Sequence, residues 1–61
     1  MERIAFTFPD DPEPRQHMLA FLPREGQTLI FDEAPFKVVD VAQVASPTYS
    51  EPVARVTLAA A

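Results

Sequence analysis

The sequence predicts a mainly β domain, a small barrel of four or five short antiparallel strands left partly open. Three observations point there. Apolar and polar residues alternate with period two in several short runs. The seven prolines fall between or beside those runs, where they end hydrogen-bond ladders instead of interrupting them. The one glycine, Gly26, stands just before an apolar run, where a turn calls for a residue that accepts positive φ.

Residues 3–8, RIAFTF, put Ile4, Phe6 and Phe8 on one face and Arg3, Ala5 and Thr7 on the other, the pattern of a half-buried strand. Residues 9–14, PDDPEP, hold three prolines and three acids and read as a loop. Residues 15–22, RQHMLAFL, admit two readings. As a strand they form a hairpin with 3–8, with Leu19 and Phe21 on one face and Met18, Ala20 and Leu22 opposite. As a short helix they begin after Pro14 and stop at Pro23. The strand is preferred, because two turns of helix are marginal without packing.

Pro23-Arg24-Glu25-Gly26 then reads as a tight change of direction into TLIF, residues 28–31. Asp32-Glu33-Ala34-Pro35 makes a second turn, and FKVVDVAQVA, residues 36–45, a long strand. In that strand Phe36 and Val38 share a face while Val41 has the other parity. All three point inward only if the strand bulges near Val39; otherwise it is buried on both faces. Either outcome predicts a strongly curved sheet. Residues 46–52, SPTYSEP, form a loop with the only tyrosine, and VARVTLA, residues 53–59, is the last strand, with Ala54, Val56 and Leu58 on one face. Residues 59–61 are expected to fray.

Sixty-one residues bound the chain to a single domain, 1–61, near the lower size limit for folding alone. With no cysteine, neither a disulfide framework nor a thiolate metal site adds stability, so association is an expected extra source. Nine acids against five bases give a net charge of −4. The bases Arg3, Arg15, Arg24, Lys37 and Arg55 are scattered singly, with no stripe to follow phosphates, which argues against direct nucleic-acid binding. No apolar run approaches the ~20 residues of a membrane span, and no basic-then-apolar signal segment opens the chain. The expected setting is the cytoplasm, with no membrane partner.

The run from LPREG through TLIF, followed by FKVVDV and a closing ARVTL, resembles small all-β proteins of bacteria and their phages. In those proteins a Leu-Pro-Arg-x-Gly turn precedes a strand pair and an aromatic-x-Val-x-x-Val strand follows. The resemblance covers roughly the C-terminal two-thirds of the chain and implies an SH3-like barrel. It carries no activity and no site residues.

The chemistry-bearing residues are sparse. His17 is the only histidine, and Ser46 and Ser50 lie in a proline-rich loop without the glycine elbow of an activated nucleophile. No catalytic, metal or cofactor residues are assigned. Asp10, Asp11 and Glu13 lack the register of a calcium loop, since prolines alternate with them, and are read as a solvated loop or an acidic docking loop for a basic partner. Arg24 at a turn and Tyr49 at a loop tip are residue types favoured at binding hot spots. Ile30, Val39 and Val53 fall opposite the main inward set and form candidate protein contacts.

These features predict a non-enzymatic protein-binding module acting by self-association or by docking on a larger protein. The resemblance suggests an accessory role in a phage or mobile element. Two alternatives are an acidic inhibitor occupying a nucleic-acid site on a host protein and, from another class, a small hydrolase or ligand-binding fragment. A concave pocket joining His17 to a carboxylate would favour the last; a flat surface would count against it.

Overall fold

The computed structural model describes residues 1–45 and 47–61. Five strands form one curled sheet: β1 (Glu2–Thr7), β2 (Arg15–Leu19), β3 (Thr28–Phe31), β4 (Ala34–Gln43) and β5 (Ala54–Ala60). Their order across the sheet is β2-β1-β5-β4-β3. The result is a half-barrel whose two edge strands, β2 and β3, are left unpaired along the seam. Among the described residues there is no helix, so none that is long and apolar enough to cross a membrane.

Residues 15–22, where the sequence admits strand or helix, form a strand that ends at Leu19. Its antiparallel register against β1 runs from Glu2 opposite Leu19 to Phe6 opposite Arg15. The chain bends after Leu19, so parity fails beyond it. Leu19 and Leu22 both pack on the core, while Phe21 turns outward. Backbone pairing with β1 supplies what an isolated two-turn helix lacks.

The expectation of a wholly antiparallel sheet is corrected at its centre, where the sheet is mixed. β1 and β5 pair in parallel, with Ile4 opposite Ala54 and Phe6 opposite Val56. The amide of Val53 donates to the carbonyl of Arg3 at 2.9 Å and opens that ladder. First and last strands therefore meet in the middle, a pairing far from local in sequence. Alternation specifies which side chains face inward but not which strand lies alongside, because parallel and antiparallel neighbours show the same period.

Of the two outcomes open to residues 36–45, a bulge near Val39 or burial on both faces, the structure has the bulge. Val38 lies opposite Leu58 and Asp40 opposite Thr57, which leaves Val39 as the extra residue. The shift restores Val41 to the inner face, opposite Val56. One unpaired residue thus curls the longest strand and lets Phe36, Val38 and Val41 share one core. Ile4, Phe6, Phe8, Val38, Val56 and Leu58 are its buried centre.

The two turns solve different problems. Gly26 has φ of 89° and sits between the carbonyl of Arg24 and the amide of Gln27, which are joined by a 3.0 Å hydrogen bond. That is the position of a type II turn that calls for glycine. The Gln27 side chain accepts from the Arg24 amide at 3.0 Å, and the Gly26 amide donates to the Val38 carbonyl at 2.8 Å, fixing the turn to β4. The second turn joins β3 to β4 through Asp32 and Glu33 alone, with φ of 49° and 68°. Positive φ at both central residues defines the type I′ hairpin, whose twist matches the strands and whose preferred residues are Asn and Gly. Glutamate in that position holds its Cβ against its own backbone.

Two substitutions test these turns. A Cβ built on Gly26 meets nothing within 4 Å, so the cost of Gly26→Ala is backbone strain alone, expected at about 1 kcal/mol of lost stability. Glu33→Gly relieves the strain in the hairpin turn and is expected to stabilise by about 0.5–1 kcal/mol. Thermal melts of the two variants check both, and opposite signs are the expected outcome.

Candidate functional site

The concave face of the half-barrel is lined by rings. Phe31 on β3 lies edge-on to Phe6 at 5.0 Å and to Phe8 at 5.2 Å, and Phe8 lies edge-on to Phe36 at 5.1 Å between ring centroids. Steep interplanar angles, 65° to 82° in these pairs, set the positive edge of one ring against the negative face of the next. Four of the five phenylalanines join this cluster. Alternation explains why: β1, β3 and β4 each send an aromatic residue inward near the same end of the sheet.

His17 completes it from β2. Its ring lies 5.1 Å from Phe31 and 5.8 Å from Phe6. No Cα of β2 comes within 8 Å of a Cα of β3, so the seam is bridged by these rings and not by backbone pairing. Alongside the bridge opens a cleft of about 290 Å³ lined by Phe8, Phe31, Phe36 and His17, with Asp10, Arg15 and Asp32 also on its walls.

The acidic loop positions the cleft's one guanidinium. One Asp11 carboxylate oxygen accepts from the Glu13 amide at 3.0 Å; the other accepts from Arg15 Nη2 at 3.0 Å. Arg15 so held lies over the Phe8 ring, 5.4 Å from its centroid. The Glu13 amide first, and the Arg15 side chain second, hold the Asp11 carboxyl below the usual aspartate value. At the far side of the molecule, the Thr48 hydroxyl and then the Thr48 amide do the same for Glu51.

The residues singled out in the sequence are dispersed by the fold. Asp10 reaches the cleft; Asp11 faces Arg15, and Glu13 is exposed beside them. Ile30 is 72% exposed and Val39 44% exposed on the outer side of the β3–β4 hairpin, but the Thr28–Lys37 pair lies between them, so they do not form one continuous patch. Val53 packs half-buried against the core and borders a separate hollow with Phe21 and Leu22. Arg24 is exposed at its turn, and Tyr49, 99% exposed, stands at a loop tip whose carbonyl accepts from Arg3 at 3.3 Å. Ser50 is exposed, and Ser46 lies outside the described residues.

The seam site itself was not singled out by sequence reasoning. A signal exists in retrospect: an inward phenylalanine runs straight into acids twice, as Phe8-Pro9-Asp10-Asp11 and as Phe31-Asp32-Glu33. Only the tertiary structure brings the two together. No group of three metal-ligating side chains occurs among the described residues. The cleft wall carries no hydroxyl or thiol nucleophile.

Because the folded Asp11 value lies below the ordinary 3.8, its share of stability is complete above that value and is lost as pH falls through the folded value. Asp11→Asn is therefore expected to melt earlier than the parent at neutral pH, with the difference closing as pH falls below 3.8 and through the folded value. Thermal melts across that range give the check. Comparison with known proteins finds no matching family, curated protein or solved structure.

Proposed function

We propose that this chain is a small, non-enzymatic protein-binding module that acts by self-association or by docking on a larger protein. One observation carries the reading: a curled sheet that stops short of closure and leaves the edge of β3 open. The direction of that edge follows from Pro35. It lies opposite Ile30, has no amide hydrogen, and its carbonyl accepts from Ala61 on the other side at 3.4 Å. The Ile30–Pro35 pair is thus not hydrogen-bonded, and the backbone groups of Ile30 and, by alternation, Thr28 point along the free edge.

Such an edge is a template for another strand unless charge, proline or a bulge blunts it. β3, Thr-Leu-Ile-Phe, has none of these. A domain this small, without cross-links, also gains from burying further apolar surface in a complex. An accessory role in a phage or mobile element fits the resemblance of its LPREG turn and following strands.

A hydrolase is the second reading, because the cleft does join His17 to the carboxylate-bearing residues Asp10 and Asp32. Against it, His17 packs between phenylalanine rings, and no side-chain hydrogen bond among the described residues ties it to either acid. The third reading, an acidic inhibitor of a nucleic-acid-binding protein, draws on the net charge of −4.

Light scattering behind size exclusion is expected to give a mass above 6.8 kDa at tens of micromolar, through the exposed Ile30 side chain on the outer face of β3. Ile30→Lys places a charge on that outer face, leaves the backbone edge free, and is expected to return the monomer. A strict monomer at about millimolar concentration would leave docking on a different protein as the mode of action.

A further inference from the structure

The seam has a chemistry of its own, and it bears on the partner. We propose that the cleft between β2 and β3 receives an extended segment of another protein carrying a Lys or Arg side chain, which enters alongside β3 as an added strand. This rests on the protein-binding reading above and names its partner.

Three features converge on that occupant. The backbone of Thr28 and Ile30 is free along β3. On β2 the same logic applies: the Arg3 carbonyl is turned to β5, so the β1 residues bonded to β2 are Glu2, Ile4 and Phe6, and the backbone of Gln16 and Met18 faces outward. Extended peptides add to such edges through main-chain bonds, with side-chain pockets supplying selectivity.

The pocket here is aromatic with an acidic rim. Phe8, Phe31 and Phe36 line it together with Asp10 and Asp32, one from the β1–β2 loop and one from the β3–β4 turn. Glu13 and Glu33 lie exposed on the same loop and turn. A cation with an alkyl stem matches both parts, the stem against the rings and the charge towards the acids. The protein already shows the arrangement once: Arg15 lies 5.4 Å over the Phe8 ring with its charge met by Asp11. An incoming basic residue would repeat that pairing with the acids of the rim.

A second copy of this chain suits the seam poorly. Its five bases are scattered singly: none falls in the edge strand Thr28–Phe31, and the one in the other edge strand, Arg15, is already paired with Asp11. Charge complementarity therefore favours a foreign basic segment.

The test uses the intact chain and three blocked hexapeptides: one alternating valine and arginine, one with glutamate in place of arginine, and one with arginine kept but proline in place of valine. Amide shifts by NMR locate binding, and titration gives affinity. The expected result is saturable binding of the arginine–valine peptide, with shifts at Gln16, Met18, Thr28 and Ile30. The glutamate and proline peptides should bind about tenfold more weakly or worse. Asp10→Lys with Asp32→Lys should lose a similar factor, provided its melting shows that it folds.

Equal binding of the arginine and glutamate peptides, or shifts confined to other surfaces, would overturn the basic-segment proposal while keeping a protein-binding role. Concentration-dependent shifts of the same amides without peptide would assign the seam to a second copy and overturn it likewise. No seam shifts with any peptide, together with a monomer at every concentration, would overturn this proposal and count against the broader reading as well.

Discussion

The fold depends on the contact between Phe31 and the rings of β1. β3 hydrogen-bonds only to β4, at the far edge of the sheet from β1, yet its inward phenylalanine reaches Phe6 and Phe8. Without that contact the sheet would have no reason to curl back on itself, and its one apolar face would stay open to water. Each edge-to-face pair contributes about 0.5–1.5 kcal/mol beyond the area it buries. In a domain whose whole net stability is of the order of a few kcal/mol, a chain of such pairs decides the shape.

The bulge at Val39 and the strained hairpin turn serve the same closure. The bulge adds curvature to β4 where it crosses β5, and the type I′ turn gives β3 the twist that aims Phe31 inward. Two non-glycine residues at positive φ cost stability locally. They also place Asp32 in the lining of the cleft that Asp10 reaches. Turn geometry and site electrostatics are thus one feature seen at two levels.

Closure by rings instead of by a sixth strand has a consequence for behaviour. Side chains of His17 and Phe31 span the seam, but the main-chain donors and acceptors of both edges remain turned towards solvent. A closed barrel would have no such groups to offer. The molecule therefore combines a packed interior with an unfinished perimeter, and Asp10 and Asp32 line the cleft beside it.

Residues and spacing alone determined the inward set of β1 and β5, the turn at Gly26 and the loop at 9–14, because each follows from period-two alternation or from the φ limits of proline and glycine; for residues 36–45 they left a bulge near Val39 or burial on both faces. They narrowed 15–22 to two conformations without choosing fully, since its apolar spacing satisfies both. The pairing of the first strand with the last was decided by the tertiary structure, because alternation is blind to neighbour and direction. The cleft was decided there too. Asp10 and Asp32 are 22 positions apart, and the β1–β2 pairing brings Arg15, held by Asp11, over the Phe8 ring. Sequence records that an acid follows an inward phenylalanine in two places; only the curl of the sheet makes those two places one site.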